Sequence, residues 1–294
     1  MNYKSNTVMV FVALNLTLGS GMAQTKDGER IVNKSSTAKT KSMTNKEKGV
    51  ALLKSIETGA IEPIEYINPN KYIQHNLAVA DGLVGFKAFL KALPPNAVKV
   101  NTVRAFEDGD FAFTHTTYDF FGPKTSFDVF RFEDGLIVEH WNNMQKTAQP
   151  NPSGHTMIDG PIMSADLNKT AENKILVKHF VEDILVSGKM DKLTKYFNGD
   201  NYIQHNPFIP DQVSGLSKAF GELAKQGITM KYNKIHKILG EGNFVLVMSE
   251  GYLSDKHNSF YDLFRVENGK IAEHWDTIEP IPMQAEWKNS NGKF

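Results

Sequence analysis

Two short stretches of the sequence each combine an acid, a histidine and a tryptophan. Glu-His-Trp-Asn at residues 139–142 returns as Glu-His-Trp-Asp at residues 273–276. Carboxylate and imidazole groups can give or take a proton, so both stretches are candidates for acid–base chemistry. As strands they would alternate between two faces, which predicts that the histidine and the last residue share one face and the glutamate and tryptophan share the other.

These stretches belong to a longer duplication. Tyr-Ile-Gln-His-Asn at residues 72–76 returns unchanged at residues 202–206, an offset of 130. A period of this length exceeds the roughly 20–50 residues of a solenoid repeat and predicts two whole domains. Asp134-Gly135 and Asn268-Gly269 precede the acid-containing stretches and predict tight hairpin turns, because such pairs adopt positive φ angles readily.

Length and composition also favour two packed domains. The 294 residues are 40% hydrophobic, with 33 basic residues, 33 acidic residues and no cysteine. The zero net charge and the lack of a basic run argue against nucleic acid as a partner. The lack of cysteine excludes disulfides and thiol catalysis, and the sequence contains no phosphate-binding loop or nucleophile elbow.

The N-terminal residues predict export to the periplasm or the medium. Lys4 precedes an apolar run from Val8 to Leu18, and Gly21 and Ala23 supply the small residues that signal peptidase requires. No stable membrane anchor is expected after processing. The predicted organisation is a signal peptide at 1–23, a flexible spacer at 24–43, a first domain at 44–147, a linker at 148–166, a second domain at 167–287 and a tail at 288–294.

Each copy begins with helical patterns and ends with strand patterns. Thr44 and Glu47 form a capping-box pattern, and an apolar stripe in the second copy predicts a helix from Leu176 until Gly188 ends it. Strand-like segments separated by turn residues follow in both copies. This order predicts an α+β fold in which a curved antiparallel sheet wraps its N-terminal helices.

The repeated Tyr-Ile-Gln-His-Asn stretch and residues 262–276 resemble the SnoaL-like, polyketide cyclase-like branch of the cone-shaped fold shared with nuclear transport factor two and ketosteroid isomerase. The resemblance covers roughly residues 44–280, as two tandem cone-shaped domains. It implies a cofactor-free pocket inside the cone, where cyclases of this family use an aspartate as acid and base in an intramolecular aldol closure. Because this fold carries many activities, the function must be argued from the site.

Asp276 matches the position of that catalytic aspartate. A carboxylate with an ordinary pKa of about 3.9 becomes a useful base near neutral pH when an apolar cavity raises that pKa. His205 is expected to polarise the substrate carbonyl or to return the proton. The first copy has Asn142 at the aspartate position, and an amide cannot accept the proton. It carries His115 where the second copy has Met248.

Further residues are predicted to bind the substrate, and in the first copy His75 and His115 would take the place of the missing acid. The predicted set is His75, His115, His140, His274, Asn142, Asp128, Asp262, Trp141 and Trp275. The alternative is structural: histidines satisfied by hydrogen bonds, aspartates paired with arginines or backbone donors, and tryptophans in the core. The histidines lack the close spacing of a zinc motif, so no metal site is predicted.

Two functions follow from these patterns. The first is an enzyme without cofactors that catalyses aldol-type cyclisation or isomerisation of a small apolar carbonyl compound, with Asp276 and His205 as catalytic residues. The alternative is a non-catalytic protein whose two domains bind a small hydrophobic ligand or act as a scaffold. In either case the two domains are expected to pair within the chain, and homodimerisation is left open.

Overall fold

The computed structural model describes residues 42–94 and 97–294. The predicted signal peptide and residues 24–41 of the predicted spacer lie outside the described residues. Within the described ranges, no helix combines the length and the apolar character needed to cross a bilayer. The predicted domain bounds stay predictions, but both copies fold in the predicted order, with helices first and strands afterwards.

The first domain places two α-helices before its main strands. The elements are α1 (Asn45–Thr58), a 3-10 helix (Glu62–Tyr66), β1 (Ile73–Gln74), α2 (Gly82–Ala92), β2 (Lys99–Asp108), β3 (Phe111–Asp119), β4 (Pro123–Glu133) and β5 (Leu136–Lys146). The predicted capping box is confirmed, because Thr44 and Glu47 each accept a hydrogen bond from the other's backbone N–H.

The second domain repeats this order with one change in its first helix. The elements are 3-10 helices at Leu167–Lys169, Met190–Tyr196 and Gln284–Glu286, with α3 (Thr170–Phe180), β6 (Ile203–Gln204), α4 (Val213–Lys225), β7 (Met230–Glu241), β8 (Phe244–Leu253), β9 (Lys256–Glu267) and β10 (Lys270–Pro280). The helix predicted to run to Gly188 instead changes to a π-helix at Val181–Val186. Such π-helical turns often occur at functional sites.

Each domain has one five-stranded sheet, in the order β1-β5-β4-β3-β2 and β6-β10-β9-β8-β7. The short first strand pairs in parallel with the last strand, and all other pairs are antiparallel. Asp134, Gly135, Asn268 and Gly269 all have positive φ angles, which confirms the predicted tight turns. The structure therefore confirms the predicted α+β fold class.

Three apolar clusters stabilise the described part of the chain. One lies inside each domain, between its helices and the inner face of its sheet. The third joins the outer faces of the two sheets and contains Phe106, Phe113, Phe127, Val129, Trp141, Leu239, Phe244, Leu246, Met248, Tyr261, Leu263 and Trp275. Each domain also places a cation over the tryptophan of the other, with Arg104 4.4 Å from the ring of Trp275 and Lys237 4.4 Å from the ring of Trp141. The two domains thus pair through their sheets.

The segment after each sheet crosses to the other domain. In the predicted linker, Asn151 donates hydrogen bonds to the carbonyl oxygens of Gln204 and Ile209 at 2.6 and 3.1 Å. In the predicted tail, Asn289 donates to the first domain in the same manner, at 2.8 and 2.9 Å. Each asparagine begins an Asn-x-x-Gly sequence, at residues 151–154 and 289–292. The exchange is therefore reciprocal, and each domain's repeated Tyr-Ile-Gln-His-Asn stretch is covered by the other's C-terminal segment.

Candidate functional site

A small cavity of about 50 Å³ lies between the helices and the sheet of the second domain. Its polar lining is Tyr202, Gln204, Asn206, Tyr232, Asp262, His274 and Asp276, and its apolar lining is Phe180, Leu185, Ile209, Leu216, Phe220, Met230, Phe264 and Ile278. His274 and Asp276 share the inner face of β10, as strand alternation predicts, while Trp275 lies in the cluster between the sheets. The cavity therefore gathers ionisable groups within an apolar wall.

Asp276 is the acid at this cavity. The residue is 7% exposed, and its Oδ2 accepts a hydrogen bond from the side-chain amide of Asn206 at 2.7 Å. Its Oδ1 is buried and has no hydrogen-bond partner among the described residues. Burial raises the pKa of Asp276 above its ordinary value of 3.8, and the neighbouring Asp262 carboxylate adds to this rise. The site thus holds a carboxylate with one oxygen free to accept a proton.

His274 is fixed beside Asp276 by two hydrogen bonds. Its Nε2 lies 3.0 Å from Oδ1 of Asp262, and its Nδ1 lies 3.0 Å from Oε1 of Gln204. That Oε1 also accepts from the backbone N–H groups of His205 and Asn206, at 2.9 Å each, so it is an acceptor and Nδ1 must donate to it. Both ring nitrogens therefore face acceptors, an arrangement that suits the doubly protonated imidazolium. Its positive charge would stabilise negative charge that develops in the cavity.

Two tyrosines complete the polar side of the cavity. Tyr232 donates to both carboxylate oxygens of Asp262, at 3.2 Å each, and burial raises the pKa of its hydroxyl well above the usual range. The hydroxyl of Tyr202 accepts a hydrogen bond from Nε2 of Gln204 at 3.0 Å. Its own proton has no acceptor within the described part of the chain, and burial likewise raises its pKa. Tyr202 therefore presents a hydrogen-bond donor to the cavity.

A larger apolar groove adjoins the small cavity. It measures about 530 Å³ and shares Leu185, Phe220 and Met230 with the cavity lining. The rest of its wall comes from the π-helix and the turn after it, from the end of α4 and from the segment that leads into β7: Ile184, Val186, Ser187, Gly188, Met190, Leu223, Ala224, Ile228, Thr229 and Lys231. The change from α- to π-helix therefore shapes the side from which a ligand would approach Asp276.

The cavity of the first domain is larger and lacks the acid. It measures about 300 Å³ and is lined by Leu52, Leu53, Ile56, Tyr72, Gln74, Asn76, Ala78, Val79, Phe86, Phe89, Tyr118, Phe120, Phe121, Asp128, Phe130, His140, Asn142, Met144 and Glu279. Asn142 takes the place of Asp276, and its side-chain oxygen has no partner among the described residues. His140 keeps the bond to Asp128, at 3.1 Å, but its Nδ1 has no partner there either.

The tyrosine that bonds the buried aspartate comes from a different strand in each domain. In the first domain Tyr118 on β3 donates to Asp128 at 2.9 Å. In the second domain Tyr232, on β7, donates to the equivalent Asp262. Both tyrosines lie on the strand pair farthest from the first short strand, at the same place across the ladder, so the hydroxyl reaches the same position from opposite strands.

A glycine allows the tyrosine of the second domain to lie on β7, the strand opposite to the one that carries the tyrosine in the first domain. The residue directly across the ladder from Tyr232 is Gly251, and the residue across from Tyr118 is Val100. A Cβ atom on Gly251 would overlap the carbonyl oxygen of Lys231. The close strand approach beside Tyr232 therefore requires glycine at this position.

The structure corrects the predicted role of His205. Gln204 faces the cavity, so His205 points to the opposite side of the strand. Its Nε2 lies 2.8 Å from Oε1 of Glu273, its Nδ1 lies 2.8 Å from the carbonyl oxygen of Thr156, and its ring stacks on Trp275 at 4.5 Å. His205 therefore does not line the cavity that contains Asp276.

Four predicted substrate-binding residues also lie away from the cavities. His75 stacks on Trp141 with ring centroids 4.8 Å apart, and His115 stacks on Phe127 at 4.3 Å. Trp141 and Trp275 are buried in the cluster between the two sheets. The strand alternation that brings the histidine and the acid inward turns these side chains outward, so they do not line either of these cavities. The other predicted residues, Asp128, His140, Asn142, Asp262 and His274, do line the cavities.

Several cavity residues were missed from the sequence. Tyr202, Gln204 and Asn206 alternate with His205 in the repeated stretch, and all three line the cavity. Period-two alternation in Tyr-Ile-Gln-His-Asn is a signal that identifies them, since only one face of a strand can point inward. Tyr232 carries no such signal, because its first-domain equivalent lies on a different strand.

The acid–histidine cluster of the cavity also has the composition of a metal site. One side-chain atom each of Asp262, His274 and Asp276 lies within 4.8 Å of the others. However, an ion would have to replace the hydrogen bonds from His274 to Asp262 and Gln204 inside a cavity where all three side chains of the cluster are nearly fully buried. The hydrogen bonds therefore fit an acid–base site better than a metal site.

Comparison with known proteins gives matches among solved structures alone. No protein-family model matches the chain, and no curated protein matches it. Similar structures include the candidate polyketide cyclase IdmH from Streptomyces antibioticus, at 19% identity over 35% of this chain and 93% of that chain, TM-score 0.31. They also include an LEH-like epoxide hydrolase from M. tuberculosis, at 23% identity over 38% and 85%, TM-score 0.29. An NTF2-like protein from Cytophaga hutchinsonii matches at 11% identity over 36% and 94%, TM-score 0.32.

Each domain of the described chain has helices followed by an antiparallel meander, with a short parallel strand beside the last strand. This is the α+β architecture that the SnoaL-like resemblance implies, and the chain contains it twice.

Proposed function

We propose that the second domain is a cofactor-free acid–base enzyme that moves a proton at the carbon next to a carbonyl group in a small, largely apolar compound. The observation that carries the proposal is Asp276, a buried carboxylate that lines the cavity and whose Oδ1 has no partner among the described residues. Among the described residues no backbone amide donates to this carboxylate. Burial is the largest influence on its pKa and raises it, although the side-chain bond from Asn206 acts in the opposite direction.

In the proposed step, Oδ1 of Asp276 takes a proton from the carbon next to the substrate carbonyl. The C–H electron pair forms a carbon–carbon double bond, and the carbonyl π pair moves onto oxygen. If the substrate has a carbon–carbon double bond one carbon further on, the enolate is a dienolate. Asp276 then returns the proton to its far carbon, the carbonyl re-forms and the double bond moves into conjugation, which completes an isomerisation. In an aldol closure, the enolate carbon instead attacks a second carbonyl of the same molecule, and the proton passes to the new alkoxide.

Tyr202 is the proposed donor to the substrate oxygen. Its hydroxyl is oriented by Gln204 and keeps its proton free within the described structure, at the same cavity as Asp276. His274 would add electrostatic stabilisation of the enolate through its positive charge, while its hydrogen bonds to Asp262 and Gln204 hold the ring in place. This assignment replaces His205, which faces away from the cavity.

The dimensions of the second domain limit the substrate. A cavity of about 50 Å³ has room for little more than the reacting end of a molecule, whereas the adjoining groove of about 530 Å³ can hold an apolar remainder. We therefore expect substrates with a small reactive carbonyl end and a hydrophobic tail or ring system.

Solvent deuterium exchange tests the proposal. A panel of methyl ketones and 1,3-diketones with apolar tails is incubated in D₂O with the protein, and incorporation is measured by mass spectrometry. Asp276→Asn should lower the exchange rate at least about a hundredfold, the usual contribution of a general base. Asp255→Asn is the same substitution at an exposed turn and should leave the rate unchanged. Exchange that persists unchanged in Asp276→Asn would remove the proposed base.

For the first domain, the geometry favours binding without turnover. Its cavity of about 300 Å³ is six times as large as that of the second domain, since 300/50 = 6, and it has Asn142 in place of the base. We propose that it holds a small apolar molecule with one or two polar groups, which would bond to Asn142 and to Nδ1 of His140. Fluorescence titration with 2-naphthol tests this. Ile56→Trp should fill the cavity and abolish binding, whereas Leu185→Trp, in the second domain, should not.

Export of the chain remains a proposal that rests on the sequence of residues 1–23. The described structure begins after this segment. N-terminal sequencing of the mature protein from the periplasm or the medium should find a start close to Gln24. A protein that keeps Met1 and stays in the cytoplasm would contradict it.

A further inference from the structure

The predicted linker brings a second group of ionisable residues together on the outer side of the second domain. His155 and Asp159 belong to the linker, and His205 follows β6. One side-chain nitrogen or oxygen of each of these three residues lies within 4.8 Å of the others. The sequence gives no zinc-type spacing here, because His155 and His205 are 205 − 155 = 50 residues apart. The fold alone brings them together.

Hydrogen bonds hold the linker residues in position. Oδ1 of Asn151 accepts from the backbone N–H of His155 at 2.9 Å, while its amide donates to the second domain. The carbonyl oxygen of Asp159 accepts from Nε1 of Trp275 at 2.9 Å and from the guanidinium of Arg104. Both linker side chains are therefore placed against His205 by contacts that do not involve the side chains themselves.

His205 has the geometry of a metal-binding histidine. Its Nε2 lies 2.8 Å from Oε1 of Glu273, while Oε2 of that glutamate accepts from Arg265 at 2.6 Å. A carboxylate on one ring nitrogen fixes the ring and directs the other nitrogen to an ion, as in carboxylate–histidine–zinc triads. That other nitrogen, Nδ1, lies 2.7 Å from Oδ1 of Asp159, an oxygen that otherwise has no hydrogen-bond partner among the described residues.

We propose that His155, Asp159 and His205 bind one divalent transition-metal ion, of which zinc is the type. Two imidazoles and a carboxylate are ligands that suit zinc, and ligands of a tetrahedral zinc ion lie roughly 3.4 Å apart. The observed separations include 2.7 Å between Asp159 and His205 and 3.4 Å between Asp159 and His155. The side chains of His155 and Asp159 are 33% and 42% exposed, so both can adjust and an ion can enter from solvent.

Further groups near the site fit this assignment. Asp211 lies 3.2 Å from Nε2 of His155 and would orient that ring in turn. The carbonyl oxygen of Thr156, 2.8 Å from Nδ1 of His205, can accept a hydrogen bond from that nitrogen before an ion binds, and metal binding would release this proton to solvent. The bound ion would clamp the linker onto the second domain. Because the site lies on the outer side of the strand that faces Asp276, this inference does not depend on the proposed proton transfer.

The first domain lacks the equivalent site. His75 makes the same bond to a glutamate, at 2.9 Å from Oε1 of Glu139, and its Nδ1 faces the carbonyl oxygen of Gly292 as Nδ1 of His205 faces that of Thr156. The tail has Lys293 at the position that His155 occupies in the linker, counted from the Asn-x-x-Gly sequence. The expected stoichiometry is therefore one ion per chain.

Calorimetric titration of the full chain with Zn²⁺, together with the visible absorption of bound Co²⁺, tests the site. The wild type should bind one ion, and His155→Ala and Asp159→Asn should each weaken binding at least tenfold and remove the Co²⁺ spectrum. His179→Ala and Asp255→Asn make the same changes at exposed positions and should bind as the wild type. Far-UV circular dichroism confirms that the variants are folded.

Three results would overturn the proposal. One is that neither Zn²⁺ nor Co²⁺ binds the wild type. Another is unchanged affinity in both His155→Ala and Asp159→Asn. The third is loss of binding in Asp276→Asn with retention in Asp159→Asn, which would assign the ion to the cavity cluster instead.

Discussion

The two domains share a hydrogen-bonded frame of one histidine, one aspartate and one tyrosine, and they differ in the cavity next to that frame. In both, a histidine on the last strand bonds an aspartate on the neighbouring strand, and that aspartate accepts from a tyrosine. The first domain surrounds this frame with a cavity of about 300 Å³ and an amide, whereas the second has about 50 Å³ and a carboxylate. Because the frame is common to both, it accounts for the fold. The acid and the cavity volume account for the difference in proposed function.

The equivalent histidines of the two domains, His140 and His274, also differ in their hydrogen bonds. His274 is bonded at both ring nitrogens and lies beside Asp276, whereas His140 is bonded at one and lies beside Asn142. A doubly bonded imidazolium stabilises negative charge next to it, which suits a cavity that contains a base. The free Nδ1 of His140 instead leaves a polar group for a ligand to bond.

The largest expected effect concerns the strand pair that supplies the second domain's tyrosine. Gly251→Ala should lower the free energy of unfolding by about 3 kcal/mol, because the new Cβ overlaps the carbonyl oxygen of Lys231 and the strands must separate. Gly221→Ala places the same methyl group in open space on α4 and should stabilise by up to about 1 kcal/mol. Urea unfolding measures both. If the two variants were equally stable, the close strand approach at Gly251 would not be required.

The next effect compares the two tryptophans between the sheets. Nε1 of Trp275 donates to Asp159 at 2.9 Å, whereas Nε1 of Trp141 is buried without a partner among the described residues. Trp275→Phe loses a hydrogen bond, and Trp141→Phe removes an unsatisfied donor, so the first should be more destabilising by about 2 kcal/mol. Thermal unfolding of the two variants checks this difference. Equal costs would mean that the tryptophans have equivalent surroundings.

The smallest expected effect comes from replacing the acid of the second domain with an amide and the amide of the first domain with an acid. The two substitutions should change stability in opposite directions. Burial raises the pKa of Asp276, so the folded chain holds this proton more tightly than the unfolded chain. The stability that this tighter proton binding contributes is therefore present at acidic pH, and it is lost as the pH rises through the raised pKa of Asp276. At pH 7, Asp276→Asn should raise the melting temperature by about 2–4 °C, on the order of 1 kcal/mol, and Asn142→Asp should lower it similarly.

Calorimetry at pH 4 and pH 7 provides the control for these two variants. The increase in melting temperature caused by Asp276→Asn should be smaller at pH 4, because the wild-type carboxyl group is protonated more fully there. An increase in melting temperature that is larger at pH 4 than at pH 7 would contradict a raised pKa of Asp276.

Much of this structure follows from local patterns in the sequence. Residue spacing, which can be read directly from the sequence, predicts the duplication, the hairpin turns and the capping box. It also predicts the inward position of His274 and Asp276. The same alternation would have assigned Gln204 to the cavity and His205 to the outer face. The imidazole of His205 has the chemistry of an acid–base group, but its position on the strand directs it away from the cavity and towards Glu273.

Other features depend on tertiary packing that spacing does not reveal. Tyr232 and Tyr118 reach equivalent aspartates from different strands, so an alignment of the two copies does not pair them. The linker and the tail each cross to the other domain, which is why His155 meets His205. The difference in cavity volume arises from the combined packing of helices and sheet, and no single residue in the sequence indicates it.

The second domain retains a buried carboxylate, Asp276, whose ability to accept a proton can be measured. The most direct measurement is an infrared difference titration of the wild type against Asp276→Asn, which isolates the carboxyl stretch of Asp276 as the pH changes. We predict a pKa above the ordinary value of 3.8, raised by burial, with the deuterium exchange rate increasing as this group ionises. A pKa at or below 3.8, or an exchange rate that does not follow this titration, would contradict the account.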